Sequence, residues 1–276
     1  MFAFLRGIEK MTKAGVIGFP IHHSKSPAIH NYWLKKYGID ASYDKYEVRD
    51  IADFMKNARD FAGFNVTVPH KTAVIPFMDG LSEQARKAGA VNTVVVRPDG
   101  ALYGHNTDGV GFIANVSARN PAFDLKNSVV TVLGTGGAAR GICAAMSGEA
   151  AEIRLVYRTL EKAQNLKNAV GGNVVLVPWA DRQSVLQDTD LLANATTLGM
   201  NGFDELDIDL SPLKPSATVA DLVYAPVKTK LLEQAEQKGF VTADGLGMLL
   251  EQARPAFRAF FGVLPEITDE LRALIA

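Results

Sequence analysis

The sequence predicts an α/β fold of two domains separated by a cleft. Stretches typical of strands alternate with stretches typical of helices along nearly the whole chain, which is the pattern of helices packed on largely parallel sheets. The length of 276 residues is enough for two domains of ordinary size. A glycine-rich turn at residues 134–139, between an apolar strand and a helix, marks a second α/β unit.

Composition narrows the class of protein. With 47% hydrophobic and 21% charged residues, the chain is expected to bury a proper core. A net charge of -1 argues against a nucleic-acid partner. The single cysteine, Cys143, cannot form an internal disulfide, and no apolar run reaches the roughly 18 residues of a membrane helix. We therefore expect a cytoplasmic protein that binds small molecules, either a monomer or a homodimer, with residues 1–10 as a dispensable extension.

The first unit is predicted to alternate strands and helices and to end in a hairpin. Ser26 and Pro27 fit the start of a helix, and Asp50 fits the cap of the next one. Pro69 ends the third strand, and the turn "PDG" closes the hairpin. The predicted strands cover residues 14–19, 41–48 and 63–68, the helices 27–37 and 51–61, and the hairpin 92–106.

The second unit follows a helix within residues 106–120. Its predicted elements alternate in the same way until three helices close the chain: strands at 129–133, 152–158, 173–177, 189–196 and 216–224, and helices at 137–147, 159–171, 227–239, 245–262 and 265–276. The last helices are expected to pack back onto the first unit. The predicted domains are therefore 1–110 plus 246–276, which binds the substrate, and 111–245, which is Rossmann-like.

The turn "GTGGAA" fits the pattern G-x-G-x-x-[GA], with Gly134, Gly136 and Ala139 in the three positions. The first glycine permits the tight turn, the second lets a pyrophosphate approach the backbone, and the alanine lets helix and strand pack closely. The phosphates would lie at the positive N-terminus of the following helix. The strand and helix on either side favour dinucleotide binding over an ordinary turn.

The end of the next strand indicates which dinucleotide is bound. An NAD site usually has an acidic residue there, whereas this chain has Arg158 and Thr159, with Lys162 one turn on. A guanidinium can pair with a 2′-phosphate through two parallel hydrogen bonds. The pattern predicts NADP, the alternative being a solvated, basic start of a helix.

Polar side chains also follow the strands of the first unit, where ligands of open α/β sheets collect. Taken singly, each fits a cap, a turn or a solvated position. Taken together, they suit a polyhydroxylated acid, and reduction of a carbonyl would need a proton donor. Histidine and cysteine spacing indicates no metal site. The residues are Ser24, Ser26, Thr67, Lys71, Asn92 and Asp108.

The ordered motifs resemble those of the shikimate dehydrogenase family over about residues 15–260. They are "GFPIHHSKSP", "GFNVTVPHK", "AGAVNTVV", "NTDGVGF", "GTGGAARG", "YRTLEKA", "NATTLGM", "DLVYAPVKTKLL" and "DGLGMLLEQA". The resemblance implies reversible, NADPH-dependent reduction of 3-dehydroshikimate to shikimate, in chorismate and aromatic amino acid biosynthesis. An NAD-using quinate/shikimate dehydrogenase and a non-catalytic NADP-binding regulator are the alternatives.

The resemblance also implies roles for individual residues. Lys71 and Asp108 match the catalytic pair, with Lys71 either a proton donor or an electrostatic stabiliser. The implied substrate ligands are Ser24, Ser26, Thr67, Lys71, Asn92, Asp108, Tyr224 and Gln252. The implied NADP ligands are Gly134, Thr135, Gly136, Gly137, Ala138, Arg158, Thr159, Lys162, Asn194, Thr196, Leu222, Gly245 and Met248. Tyr157 stands where the family usually has asparagine, and Thr197 stands where it usually has serine.

Overall fold

The computed structural model describes residues 12–276 and contains two six-stranded sheets. The predicted N-terminal extension, residues 1–10, lies outside the described residues. Within residues 12–276, no helix has the length and apolar character needed to cross a membrane. The α/β class predicted from the sequence is confirmed, and each sheet belongs to one of the two predicted units.

The first sheet is mixed, with strand order β2-β1-β3-β5-β6-β4. Strands β1 and β3 are parallel neighbours, and β5 and β6 form the predicted antiparallel hairpin. The carboxyl ends of β1 and β3 therefore lie at the same edge of the sheet. The strands are β1 (Thr12–Gly18), β2 (Ala41–Glu47), β3 (Gly63–Val66), β4 (Gly80–Leu81), β5 (Thr93–Val96) and β6 (Leu102–His105).

The second sheet is entirely parallel, with strand order β12-β11-β10-β7-β8-β9. The order reverses beside β7, which is the doubly wound arrangement whose ligands bind at the switch point beyond the carboxyl ends of the strands. The strands are β7 (Val129–Leu133), β8 (Glu152–Tyr157), β9 (Val174–Pro178), β10 (Leu191–Asn194), β11 (Thr218–Asp221) and β12 (Val241–Ala243).

Helices cover the sheets and join them. Helix α8 contributes Leu250 and Phe257 to the apolar core of the first sheet, whereas Phe112 and Val116 of α4 belong to the core of the second. Because α4 and α8 also pack on each other, they form the junction between the two units. The helices are α1 (Ser26–Tyr37), α2 (Ile51–Met55), α3 (Glu83–Ala88), α4 (Asp108–Arg119), α5 (Gly137–Met146), α6 (Leu160–Val170), α7 (Lys230–Gln237), α8 (Gly245–Phe261) and α9 (Asp269–Ile275).

The structure corrects four local predictions. The second helix ends at Met55 and not at residue 61, and a short 3-10 turn at Ala58–Asp60 follows it. Ser26 is the first residue of α1 and not its cap, because Lys25 occupies the capping position. The third strand ends at Val66 and not at residue 68, and the side chain of Val68 is 68% exposed. The short strands β4 and β12 were not predicted. Two or three residues are too few to show an alternating pattern.

Candidate active site

A cavity of about 180 Å³ lies between the two units. Every residue predicted to bind substrate lines it: Ser24, Ser26, Thr67, Lys71, Asn92, Asp108, Tyr224 and Gln252. Four residues predicted on the cofactor side also line it: Ala138, Leu222, Gly245 and Met248. The cavity therefore joins the strand ends of the first sheet to the glycine turn of the second.

Lys71 and Asp108 form an ion pair in this cavity. The Nζ atom of Lys71 donates to Oδ2 of Asp108 at 2.6 Å, and their side chains are 19% and 8% exposed. The backbone carbonyl of Lys71 accepts from the amide of Val91 at 2.7 Å, which ties the lysine to the segment before β5. A cation and a carboxylate are thus held together in a mostly buried position.

Asn92 fixes the other side of Asp108. Its Nδ2 donates to Oδ1 of Asp108 at 2.8 Å and to Oε1 of Gln252 at 3.3 Å. Its Oδ1 accepts from the backbone amide of Thr107 at 2.9 Å. Asn92 is 3% exposed. A buried amide therefore joins the first sheet, the start of α4 and helix α8 at one point.

A second buried network lies behind the serine pair. The hydroxyl of Tyr43 donates to Oδ1 of Asn65 at 2.6 Å and interacts with the side chain of Ser26. Burial raises the pKa of Tyr43, so the phenol stays protonated. Asn65 also lines the cavity. Tyr43 thereby supports two residues of the cavity wall.

Two histidines near the site have structural partners. His70, next to Lys71, is buried and its Nε2 lies 2.7 Å from the carbonyl oxygen of Val48. His30 stacks on Tyr43 with ring centroids 3.9 Å apart, and burial lowers its pKa to about 3. Both rings belong to the support of the first sheet, whereas Lys71 lines the cavity, together with His23 and Lys25.

The glycine turn fits a dinucleotide pyrophosphate. Gly134 has a φ of 105°, which an L side chain rarely adopts, and a Cβ there would meet Thr196 at 3.0 Å. A Cβ on Gly136 would meet no atom within 4 Å, so the backbone is open to a ligand. No side chain within residues 12–276 caps α5. Its first amides therefore remain available to phosphate oxygens.

Arg158, Thr159 and Lys162 lie beyond β8, beside the glycine turn. Arg158 is exposed, and its guanidinium carbon lies 4.6 Å from the centre of the Trp179 ring. Thr159 precedes α6 and leaves its hydroxyl out of the cap. Tyr157 packs against the core of the second sheet.

Asn194 and Thr196 are held by a buried carboxylate that was not predicted. Oδ1 of Asp221 accepts from Nδ2 of Asn194 and from the amide of Val223, each at 3.0 Å, and Oδ2 accepts from the hydroxyl of Thr229 at 2.7 Å. Asn194 in turn accepts from the Thr196 hydroxyl at 2.7 Å. Burial raises the pKa of Asp221 to about 6. Asp221 thus connects the loops that follow β10 and β11.

Several site residues were absent from the predicted set. Asn65, two residues before Thr67, follows the strand-end rule, but it was not among the predicted substrate ligands. Tyr43, Trp179 and Asp221 carry no local signal, because each acts through a contact with a residue distant in sequence.

A cavity beside an unobstructed glycine turn, lined by the Lys71–Asp108 pair, is the arrangement expected of a two-domain, dinucleotide-dependent dehydrogenase. Family models agree. "Shikimate dehydrogenase substrate binding domain" matches residues 16–94, and "Shikimate / quinate 5-dehydrogenase" matches residues 117–204.

Known proteins are similar over nearly the full length. The chain is 45% identical to the shikimate dehydrogenase (NADP(+)) of Paramagnetospirillum magneticum, with 96% of this chain and 98% of that protein covered. Shikimate 5-dehydrogenase from Thermus thermophilus, solved with NADP(H) and shikimate, is 32% identical, with a TM-score of 0.84 and coverage of 96% and 98%. Quinate dehydrogenase from Corynebacterium glutamicum, solved with NAD, is 33% identical, with a TM-score of 0.87 and coverage of 96% and 98%.

The chain belongs to the shikimate dehydrogenase family. The predicted family, its oxidoreductase class and its use of NADP are confirmed.

Proposed function

We propose that this chain catalyses the reversible, NADPH-dependent reduction of 3-dehydroshikimate to shikimate in aromatic amino acid biosynthesis. The observation that carries the proposal is the Lys71–Asp108 pair, 2.6 Å apart, in a cavity that also contains every predicted substrate ligand. Similarity to shikimate dehydrogenases over nearly the whole chain supports the choice of substrate.

The cavity is suited to a small acid that bears several hydroxyl groups. The Ser24 and Ser26 hydroxyls can donate to a carboxylate at one end. Tyr224 also lines the wall, and burial raises the pKa of its hydroxyl, which therefore stays protonated and able to donate. Thr67 and Gln252 offer a hydroxyl and an amide to the ring hydroxyls. Asn92 and Asp108 complete the set of hydroxyl ligands.

Lys71 and Asp108 perform the proton chemistry in this proposal. When bound, NADPH would supply a hydride to the ketone carbon, and the ketone oxygen would then require a proton. The Lys71 ammonium donates that proton and stabilises the developing negative charge. Asp108 holds the ammonium through Oδ2, while Asn92 holds the same carboxylate through Oδ1. These hydrogen bonds would hold the donor in position for the reaction.

The second unit would hold NADP. The backbone of residues 134–138 and the free amides of α5 suit the pyrophosphate, and Arg158, Thr159 and Lys162 suit the 2′-phosphate. Asn194, Thr196, Leu222, Gly245 and Met248 lie toward the nicotinamide end. Residues 1–110 plus 246–276 form the substrate domain and residues 111–245 the NADP domain. The protein would act in the cytoplasm. It would be a monomer or a homodimer, and the molar mass of the purified chain from light scattering can distinguish the two.

Absorbance at the NADPH band tests the proposal. Purified chain with shikimate and NADP+ is expected to produce NADPH, and Lys71→Met and Asp108→Asn are expected to abolish most of that rate. A chain that binds NADP+ but shows no turnover with shikimate would support a non-catalytic, NADP-binding function instead.

Quinate is the second candidate substrate, because a quinate dehydrogenase solved with NAD shares the fold over nearly the whole chain. Rates with both acids and both dinucleotides discriminate between the two activities. We expect shikimate with NADP+ to give the highest kcat/KM, since Ser24, Ser26 and the basic cluster at Arg158 are all present. A higher kcat/KM for quinate with NAD+ would contradict this assignment.

A further inference from the structure

Two arginines contact the ring of Trp179 at the carboxyl edge of the second sheet. The guanidinium carbon of Arg158 is 4.6 Å from the ring centre, and that of Arg182 is 5.2 Å from it. Tyr157 of β8 pairs with Pro178 of β9, so Arg158 and Trp179 each follow directly after the end of their strand. The parallel register thus brings an arginine and a tryptophan together at the cofactor edge.

The two arginines have different roles. Arg182 donates to the carbonyl of Trp179 at 3.1 Å and twice to the carbonyl of Asp207, at 3.2 and 3.0 Å. These bonds fix Arg182 and the backbone that carries the tryptophan. Arg158, in contrast, has no hydrogen bond or ion pair with any residue from 12 to 276, and its described contact is the face of the Trp179 ring.

We propose that Trp179 is a specificity-determining residue that selects NADP over NAD by holding the Arg158 guanidinium ready for the 2′-phosphate. This inference rests on the proposed role of Arg158. An unrestrained arginine side chain loses freedom of rotation about several bonds when it binds a ligand. A ring that already restricts the side chain therefore lowers the entropic cost of binding. A guanidinium on a ring face keeps the N–H groups at its edge available to a phosphate.

The benefit is confined to ligands that carry the 2′-phosphate. NAD presents a neutral hydroxyl at that position, so the orientation of Arg158 contributes little to its binding. Trp179 should therefore change the ratio of the two affinities and not both equally. If Trp179 only stabilised the end of β9, its substitution would lower the affinities for both ligands by the same factor.

Equilibrium binding to the full chain separates these roles. Isothermal titration calorimetry compares adenosine 2′,5′-bisphosphate with 5′-AMP, the weaker ligand being measured by competition. Trp179→Leu is expected to raise the Kd for the bisphosphate about threefold to fivefold, which is the scale of one cation–π contact near the surface. The Kd for 5′-AMP should change by less than about 1.5-fold, because this ligand has no 2′-phosphate for Arg158 to bind. Trp179→Phe retains an aromatic face and is the matched control, and Trp179→Met is a second variant without a ring.

Arg158→Gln and the double variant complete the cycle. In the Arg158→Gln background, Trp179→Leu should have no further effect on the bisphosphate, because the cation that the ring orients is gone. The inference would be overturned if Trp179→Leu lowered the affinities for both ligands equally. It would also be overturned if Trp179→Leu lowered the affinity for the bisphosphate as much in the Arg158→Gln variant as in wild type. If Arg158→Gln weakens the bisphosphate and Trp179→Leu does not, the role of Trp179 alone is refuted. If Arg158→Gln itself has no effect, the proposed 2′-phosphate site is refuted as well.

Discussion

Gly141→Ala tests whether helix α5 positions Asp108, the carboxylate of the proposed catalytic pair. Gly141 lies on α5, and a Cβ there would be 2.9 Å from Cβ of Asp108 and 3.0 Å from Oδ1 of Asn106. Asn106 in turn accepts from the backbone amide of Asp108 at 3.1 Å. Ordinary contact begins at 3.4 Å, so the alanine must push the start of α4 away by about 0.5 Å.

That displacement acts on an ion pair whose length is 2.6 Å. Because a misplacement of 1 Å costs about 10²-fold in rate, we expect kcat to fall between about threefold and 30-fold. The free energy of unfolding should fall by less than about 2 kcal/mol, because alanine gains about 1 kcal/mol of helix propensity over glycine while overpacking costs about 1–3 kcal/mol.

The assay measures kcat for shikimate oxidation with saturating NADP+, together with urea unfolding. Cys143→Ala is the matched control, because this buried residue of the same helix faces the apolar core of the second sheet and not Asp108. It should lower stability and leave kcat unchanged. A kcat for Gly141→Ala within twofold of wild type would refute the idea that this contact positions Asp108.

Three further outcomes are expected. Burial raises the pKa of Asp221 from 3.8 to about 6, so its contribution to stability is full below pH 3.8 and is lost as the pH rises to 6. In urea unfolding, the free energy of unfolding of Asp221→Asn should therefore rise by up to about 3 kcal/mol relative to that of wild type between pH 3.8 and 6. Parallel curves of unfolding free energy against pH for the two proteins would contradict the assignment. Asn92→Ala leaves the Thr107 amide and one oxygen of Asp108 without their partner, so unfolding free energy should fall by about 2–4 kcal/mol and kcat at least about tenfold; unchanged kcat would exclude a role in holding Asp108. Burial raises the pKa of the Cys143 thiol, so Ellman's reagent should label it only as the chain unfolds; rapid labelling of the native protein would show that the α5 core opens.

The strand-end rule explains why much of the site was predictable. Lys71 follows β3 and Asp108 follows β6, and the order of the first sheet brings both ends to one cavity. The glycine turn was recognisable because its chemistry requires small residues between a buried strand and a helix. Ser24 and Ser26 also follow a strand, so the same rule included them, although hydroxyls in a loop, taken singly, fit a cap equally well.

Other contacts cannot be predicted from local patterns. The return of α8 to the first unit was expected, but residue spacing does not specify which side chains then meet, so the contact of Gln252 with Asn92 could not be derived. Asp221 ends a strand with the sequence "TVAD", where a single carboxylate suggests a turn and not a buried joint between loops. Trp179 meets Arg158 only through the register of β8 and β9.

The rate of a single turnover by Lys71→Met shows whether Lys71 donates the proton to the ketone oxygen. Enzyme loaded with NADPH is mixed with 3-dehydroshikimate, and NADPH oxidation is followed by stopped flow. Lys71→Met is expected to slow this step by at least about 10²-fold, the scale of a lost acid catalyst, while the Kd for NADPH changes less than about twofold. Lys71→Arg keeps the charge without a transferable proton, so it should also be slow. A Lys71→Met rate close to that of wild type would contradict the assignment of Lys71 as the proton donor.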